Sequence, residues 1–223
     1  MFAVTAAWKS AFPAAHAGVL VMKDVSNPAS HTELERRKED LVTALRIQYG
    51  GLDRNQLLAL PALQVYDAYY KRFKKTYHVQ LQLESIVFKG KSIPAVAALV
   101  EAMFMAEVKN MLLTAGHDLD ALHLPVRLDV TRGDETYVLM RGQPQQVKPG
   151  DMAISDSMGI MSNIIYGPDL RTQIQPGTRN VLYTTYAPAG IGEQAVMAHL
   201  QDIEQYVRLF SPDARMELLQ VFS

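Results

Sequence analysis

The sequence predicts an α+β fold: a mixed β-sheet core with flanking helices. Three observations carry this. Segments of helical periodicity stand beside segments of two-residue alternation, without a regular βαβ rhythm. Turn residues punctuate the alternating segments. There is no repeat, low-complexity tract or inter-domain linker, so residues 1–223 are expected to form a single domain, with residues 1–79 a candidate N-terminal lobe.

The elements are expected in this order. Phe2 to Trp8 and Gly18 to Met22 read as short strands, set off by Pro13 and the Ser26-Asn27-Pro28 turn. His31 to Tyr49 reads as a helix with Leu34, Leu41, Val42 and Leu45 on one face. Its charges, Glu33 to Asp40, form a solvated face, and Gly50-Gly51 stops it. A second helix is predicted over Arg54 to Lys74, interrupted near Pro61. A third has Pro94 in its first turn and a core stripe of Val96, Leu99, Val100, Met103 and Phe104. Val126 to Val130 and Thr136 to Met140, joined by Arg132-Gly133-Asp134-Glu135, predict a hairpin. Asp151 to Ser155, Gly159 to Ile165 and Asn180 to Tyr186 read as further strands. A helix from near Gly192 buries Val196, Leu200, Ile203 and Val207, and Met216 to Phe222 reads as a closing strand.

Composition narrows the function classes. The chain has 22 basic and 23 acidic side chains, so any nucleic-acid contact is expected to be local, or weak and salt-sensitive, rather than spread over a basic face. It has no cysteine, which excludes disulfides, thiolate metal sites and cysteine nucleophiles and fits a reducing compartment. The stretch Met1 to Leu20 does not read as a signal peptide, and no apolar run reaches membrane-spanning length. A cytoplasmic protein without membrane association is expected.

No Gly-rich phosphate loop follows a strand, no G-x-S-x-G elbow is present and no His pair stands at i, i+4. His117-Asp118-Leu119-Asp120-Ala121-Leu122-His123 gathers metal-ligand residue types around a turn, where a capped polar connection is the alternative. No metal or organic cofactor is expected. Asp156-Ser157 ends an apolar strand, where a carboxylate serves as base, cap or turn anchor. Arg171-Thr172 and Thr178-Arg179-Asn180 flank Pro176-Gly177. They gather hydroxyls, an amide and guanidinium groups that suit a carboxylate or phosphate, or a self-satisfied loop. Tyr66 to Tyr77 interleaves aromatic and basic residues. Such a stretch suits a nucleic-acid strand if it flanks a pocket and an amphipathic helix end if its tyrosines are buried.

Four pieces in order carry a resemblance. They are Lys91-Ser92-Ile93-Pro94; Gly116-His117-Asp118-Leu119-Asp120; Arg141-Gly142-Gln143 with Gly150 to Asp156; and Arg171-Thr172-Gln173-Ile174 followed by Thr178 to Leu182. Over residues 80–190 this pattern is similar to the module formed by the third and fourth domains of the phenylalanyl-tRNA synthetase beta chain. It is more similar still to free-standing bacterial proteins of that module. The resemblance implies that fold, and a trans-acting deacylase that hydrolyses mischarged aminoacyl-tRNA, with tRNA or an aminoacyl group as ligand. It places the family's site histidine at Ala115 and its glutamate near Gln143. On this alignment Asp156, Ser162 and Asn163 are the candidate catalytic residues. Gly142, Gln143, His117, Tyr166, Arg171, Thr172 and Asn180 are the candidate substrate-binding residues. The alternatives are a non-catalytic module for an aminoacyl group or tRNA end, and a small-molecule enzyme reusing the pocket.

Overall fold

The structure is a computed structural model, and it describes residues 2–223. The chain opens with β1 (Phe2–Val4), α1 (Ala6–Ala11) and β2 (His16–Lys23). Four helices follow: α2 (Thr32–Tyr49), α3 (Arg54–Leu58), α4 (Pro61–Lys71) and α5 (His78–Lys89). Next come α6 (Ala98–Asn110), β3 (Leu113–Asp118) and a short 3-10 turn at Leu119–Ala121. Strands β4 (Val126–Val130), β5 (Thr136–Val138), β6 (Pro144–Gln146), β7 (Met152–Asp156), β8 (Gly159–Asn163), β9 (Gly167–Pro168) and β10 (Asn180–Ala187) lead to α7 (Glu193–Arg208) and β11 (Arg215–Phe222).

The strands make two main sheets. One has the order β11-β2-β10-β3 and is antiparallel throughout; the other has the order β1-β4-β7-β8-β9, with β1 and β4 parallel. The α+β class is therefore what the chain adopts. Residues before position 80 are woven into both sheets, since β1 lies at the edge of one and β2 lies between β11 and β10 in the other.

Most elements follow from local sequence. In α2, Leu34, Val42 and Leu45 are buried, while Arg36 pairs with Glu33 and Asp40 on the exposed side. Solvent-exposed pairs of this kind contribute little, so the buried face fixes this helix. The predicted second helix divides into α3 and α4, with Pro61 at the first turn of α4, where its missing N–H costs no hydrogen bond. Gly18 on β2 admits α7, because a Cβ there would lie 2.5 Å from Val196 Cγ1.

Three expectations are corrected. Phe2 to Trp8 is not one strand. The Thr5 hydroxyl accepts the Trp8 N–H at 3.1 Å, so a capped helix starts there and carries Trp8 into the core. Pro94 is not in a helical first turn. The helix begins at Ala98, where Asn27 Oδ1 accepts the Leu99 N–H at 3.0 Å, and Val96 is left exposed. The predicted hairpin does not form. Strand β4 pairs with β1 and β7, and β5 pairs with β6. The Glu135 carboxylate accepts the N–H groups of Arg132 and Gly133, and Thr131 is tied to Asp151, so the chain leaves the sheet at that turn.

Candidate functional site

Helix α6 packs on the β3 strand with α5 against it, and β8 and β9 approach from the other sheet. A pocket of about 260 Å³ lies between them. It is more enclosed than the surface grooves, and slightly below the ~300–1,000 Å³ of drug-sized sites, a size that suits one amino acid. Its apolar wall comes from Val100, Met103, Phe104, Leu113, Met140 and Ile174. Helical spacing on α6 aims Val100, Met103, Phe104 and Glu107 toward one side. Gly116 supplies room on β3, since a Cβ there would lie 2.8 Å from Ile174 Cδ1.

Three polar side chains define the chemistry. Glu107 is fully buried. Its Oε1 accepts the Thr114 N–H at 2.8 Å, and its Oε2 has no protein partner. Burial pushes its carboxyl up to about 8, against the opposing hydrogen bond from Thr114. Asn163 is also buried. Its Oδ1 accepts the Tyr166 N–H at 2.8 Å, which fixes the amide orientation, and its Nδ2 has no protein partner. His78, the first residue of α5, is at the rim, where its Nδ1 lies 3.3 Å from the Tyr70 hydroxyl. Its edge reaches solvent, but desolvation by the surrounding groups lowers it to about 4, so the imidazole is neutral and a weak base.

Behind the pocket runs a buried polar chain. Tyr186, which lines the cavity, has its hydroxyl 2.6 Å from Ser162 Oγ. Ser162 Oγ is 3.2 Å from His117 Nε2, and His117 Nδ1 is 2.7 Å from Thr172 Oγ1. Thr172 donates to the Asp169 carboxylate. Each proton can therefore point the same way, from Tyr186 toward Asp169, with the His117 proton on Nδ1. Burial, aided by the nearby Arg171 guanidinium, lowers His117 to about 3, so this imidazole is neutral. Ser162 and His117 are both fully buried and do not line the pocket.

The other candidates lie elsewhere. Asp156 forms a two-pronged ion pair with Arg171, at 2.8 and 2.9 Å, and accepts the N–H groups of His123 and Met158. Burial would raise its pKa, but Arg171 and those two N–H groups outweigh burial and lower it. Arg171 also donates to the Ala121 carbonyl. Gly142 and Gln143 are exposed at the turn of the β5–β6 hairpin, where Gly142 takes a φ of +79°. Asn180 holds both Asp120 oxygens at 2.9 Å. Of the ten candidates, only Asn163 lines the pocket directly. Tyr166 lines an adjoining groove with Lys75 and Arg141, and that groove shares Met140 and Pro168 with the pocket.

The tyrosines of the 66–77 stretch are core residues. Tyr66, Tyr69, Tyr70 and Tyr77 are all buried, while its cations reach the surface, with Lys75 Nζ 5.3 Å from the Tyr166 ring centroid. Among the described residues, no group of three or more His, Asp or Glu side chains is placed to hold a metal ion, and no helix is long and apolar enough to cross a membrane. A larger open groove of about 630 Å³ is lined by Arg127, Asp129, Arg132 and Glu135, among others. It has no unpartnered buried polar atom.

His78 and Glu107 are the residues that sequence reasoning missed. The spacing of Val79, Leu83 and Ile86 and the terminal Gly90 would have revealed α5 and put His78 at its start. Only the packing of α6 on β3 reveals that Glu107 has an unpartnered oxygen.

No family model matches this chain, and no curated protein matches it in sequence. Among solved structures it is similar to an N-terminal fragment of the phenylalanyl-tRNA synthetase beta subunit from Pyrococcus horikoshii, with a TM-score of 0.51 and 9% identity. The match covers 100% of this chain and 54% of that one, so the chain spans about half the length of its structural neighbour. At that identity the likeness shows the fold: this chain has the mixed α+β architecture found in a phenylalanyl-tRNA synthetase beta-subunit fragment.

Proposed function

We propose that the chain holds the aminoacyl end of a charged tRNA in the 260 Å³ pocket and hydrolyses its ester. The observation that carries this reading is where the pocket forms. It is lined by Ala115, where the sequence resemblance puts the family's site histidine, and by Asn163, one of the ten candidate residues. The likeness in fold to the synthetase fragment supports it.

In this reading the amino-acid side chain packs on Met103, Phe104 and Ile174. The unpartnered Nδ2 of Asn163 donates to the ester carbonyl oxygen, where charge develops as water adds. His78 at the rim takes the proton from the attacking water and returns it to the departing ribose oxygen. One C–O bond forms, the ester C–O bond breaks, and the proton count balances. Positioning carries most of the rate in this reading: the Thr114 and Tyr186 hydroxyls that line the pocket are engaged in hydrogen bonds, and the attacking group is water.

The test is release of amino acid from a panel of correctly and incorrectly charged tRNAs, measured against spontaneous hydrolysis. Selective release, reduced about 100-fold or more by His78→Gln or Asn163→Ala, is expected. No release above control by the folded protein overturns the reading. A second reading, a binding module without catalysis, is favoured by the burial of Ser162 and His117 away from the pocket. Binding of a non-hydrolysable aminoacyl-adenosine amide without ester hydrolysis would select it.

A further inference from the structure

The same pocket contains two buried polar atoms left without partners, and they are opposite in hydrogen-bonding sense. Glu107 Oε2 is an acceptor, or an acid, and Asn163 Nδ2 is a donor. Leaving a buried polar atom without a partner is costly, and few are found in folded chains. Helix α6 itself provides the contrast. Its other buried glutamate, Glu101, accepts from Lys38 Nζ at 2.7 Å and from the Val96 N–H at 2.9 Å. Among the described residues no Lys or Arg is paired with Glu107. The wall around it is apolar, so the missing cation is not supplied by the protein.

We propose that Glu107 is a specificity-determining residue that selects ligands carrying a free primary ammonium, the unblocked α-amino group of an amino acid or aminoacyl ester. This rests on the functional reading above and adds to it the group that recognises the amine. An α-amino acid derivative carries a cluster of N–H donors and a carbonyl acceptor on either side of one carbon. That arrangement answers an acceptor at Glu107 and a donor at Asn163, with the side chain left to the apolar wall. N-acylation removes the charge and adds bulk at the buried carboxyl, so N-blocked ligands are rejected by an unpaired acid as well as by size. Hydroxy-acid analogues lose the ion pair but not the carbonyl contact. Chains with apolar side chains are preferred, because Met103 and Met140 can adapt to their shape.

The probes are phenylalaninamide and N-acetylphenylalaninamide, with binding to the full chain measured by calorimetry. The wild-type protein is expected to bind the free amine at least tenfold more tightly than the acetylated compound. Glu107→Gln is expected to bring that ratio near one, and Asn163→Ala to weaken both ligands alike. Equal affinity of the wild-type protein for the two probes overturns the proposal, as does failure to bind either. The wild-type comparison needs no variant, so an unstable Glu107→Gln protein would not rescue it. Preference for the amine without any ester hydrolysis sinks the deacylase reading and leaves this proposal standing. Hydrolysis of aminoacyl-tRNA and its N-acetylated form at equal rates does the reverse.

Discussion

Glu101 and Glu107 share one helix and one degree of burial, yet only Glu101 is balanced by a cation. The consequence for Glu107 is a carboxyl held near 8, where the unfolded chain has 4.5. Between those values the folded protein binds the proton that the unfolded chain has released. Stability from this group therefore falls as pH rises from about 4.5 to about 8. The full effect is on the order of 4–5 kcal/mol as an upper bound. Glu107→Gln should thus gain stability relative to wild type on going from pH 5 to pH 9, as read by urea unfolding. A stability difference that does not change with pH would refute the buried acid. His117 has the opposite sign. Its folded value lies below that of a free imidazole, so the stability tied to its neutral form is lost as pH falls below about 6.5 toward 3.

Elements are joined at few but specific points. The Asp156–Arg171 pair ties the β7–β8 turn to the loop after β9, and the Asp156 side chain is fully buried while Arg171 is about one-third exposed. Arg171→Ala leaves a buried carboxylate with two backbone N–H partners and no cation. A loss of about 2–3 kcal/mol is expected, below the fully buried range because solvent already screens part of the pair. This change should leave affinity for phenylalaninamide within about twofold, since neither residue lines the pocket. Loss of binding in a folded Arg171→Ala protein would instead place the pair in the site. The α7–β2 contact gives a second test. Gly18→Ala places a methyl against Val196 and should cost about 1–3 kcal/mol. Combining it with Val196→Ala should recover part of that loss, and additive losses would show that the close approach is not the cause.

For the whole molecule, the balance of 22 basic and 23 acidic side chains sets how RNA can be held. With no net positive charge to attract RNA, a tRNA held as proposed would rest on local cations, and those near the pocket are few. Lys75 and Arg141 line the adjoining groove beside Tyr166. If both neutralise phosphates of a single strand, the slope of log affinity against log salt should be about −1.4. Lys75→Glu and Arg141→Glu should each reduce that slope and weaken tRNA binding, without changing the affinity for phenylalaninamide. A much steeper slope in filter binding would show that other cations hold the RNA.

The sequence by itself determined the α+β class and most of the element inventory, because periodicity and turn chemistry are local. The α2 face, the break at Pro61, the strand over Asn180 and the closing strand all rest on such signals. Strand pairing was not local. The turn at Arg132–Glu135 looked like a hairpin, yet its carboxylate–backbone bonds send β5 to β6 and leave β4 to β1 and β7. The site followed the same division. The family resemblance singled out Asn163, and also Asp156, Arg171 and Thr172, whose polar groups turned out to be satisfied by one another and by the backbone. The unpartnered oxygen of Glu107 became visible only when α6 was packed on β3, and the place of His78 beside it only through the pocket that α5 helps to line. Whether a buried polar atom has a partner depends on neighbours far away in the chain, and only the tertiary structure decides that.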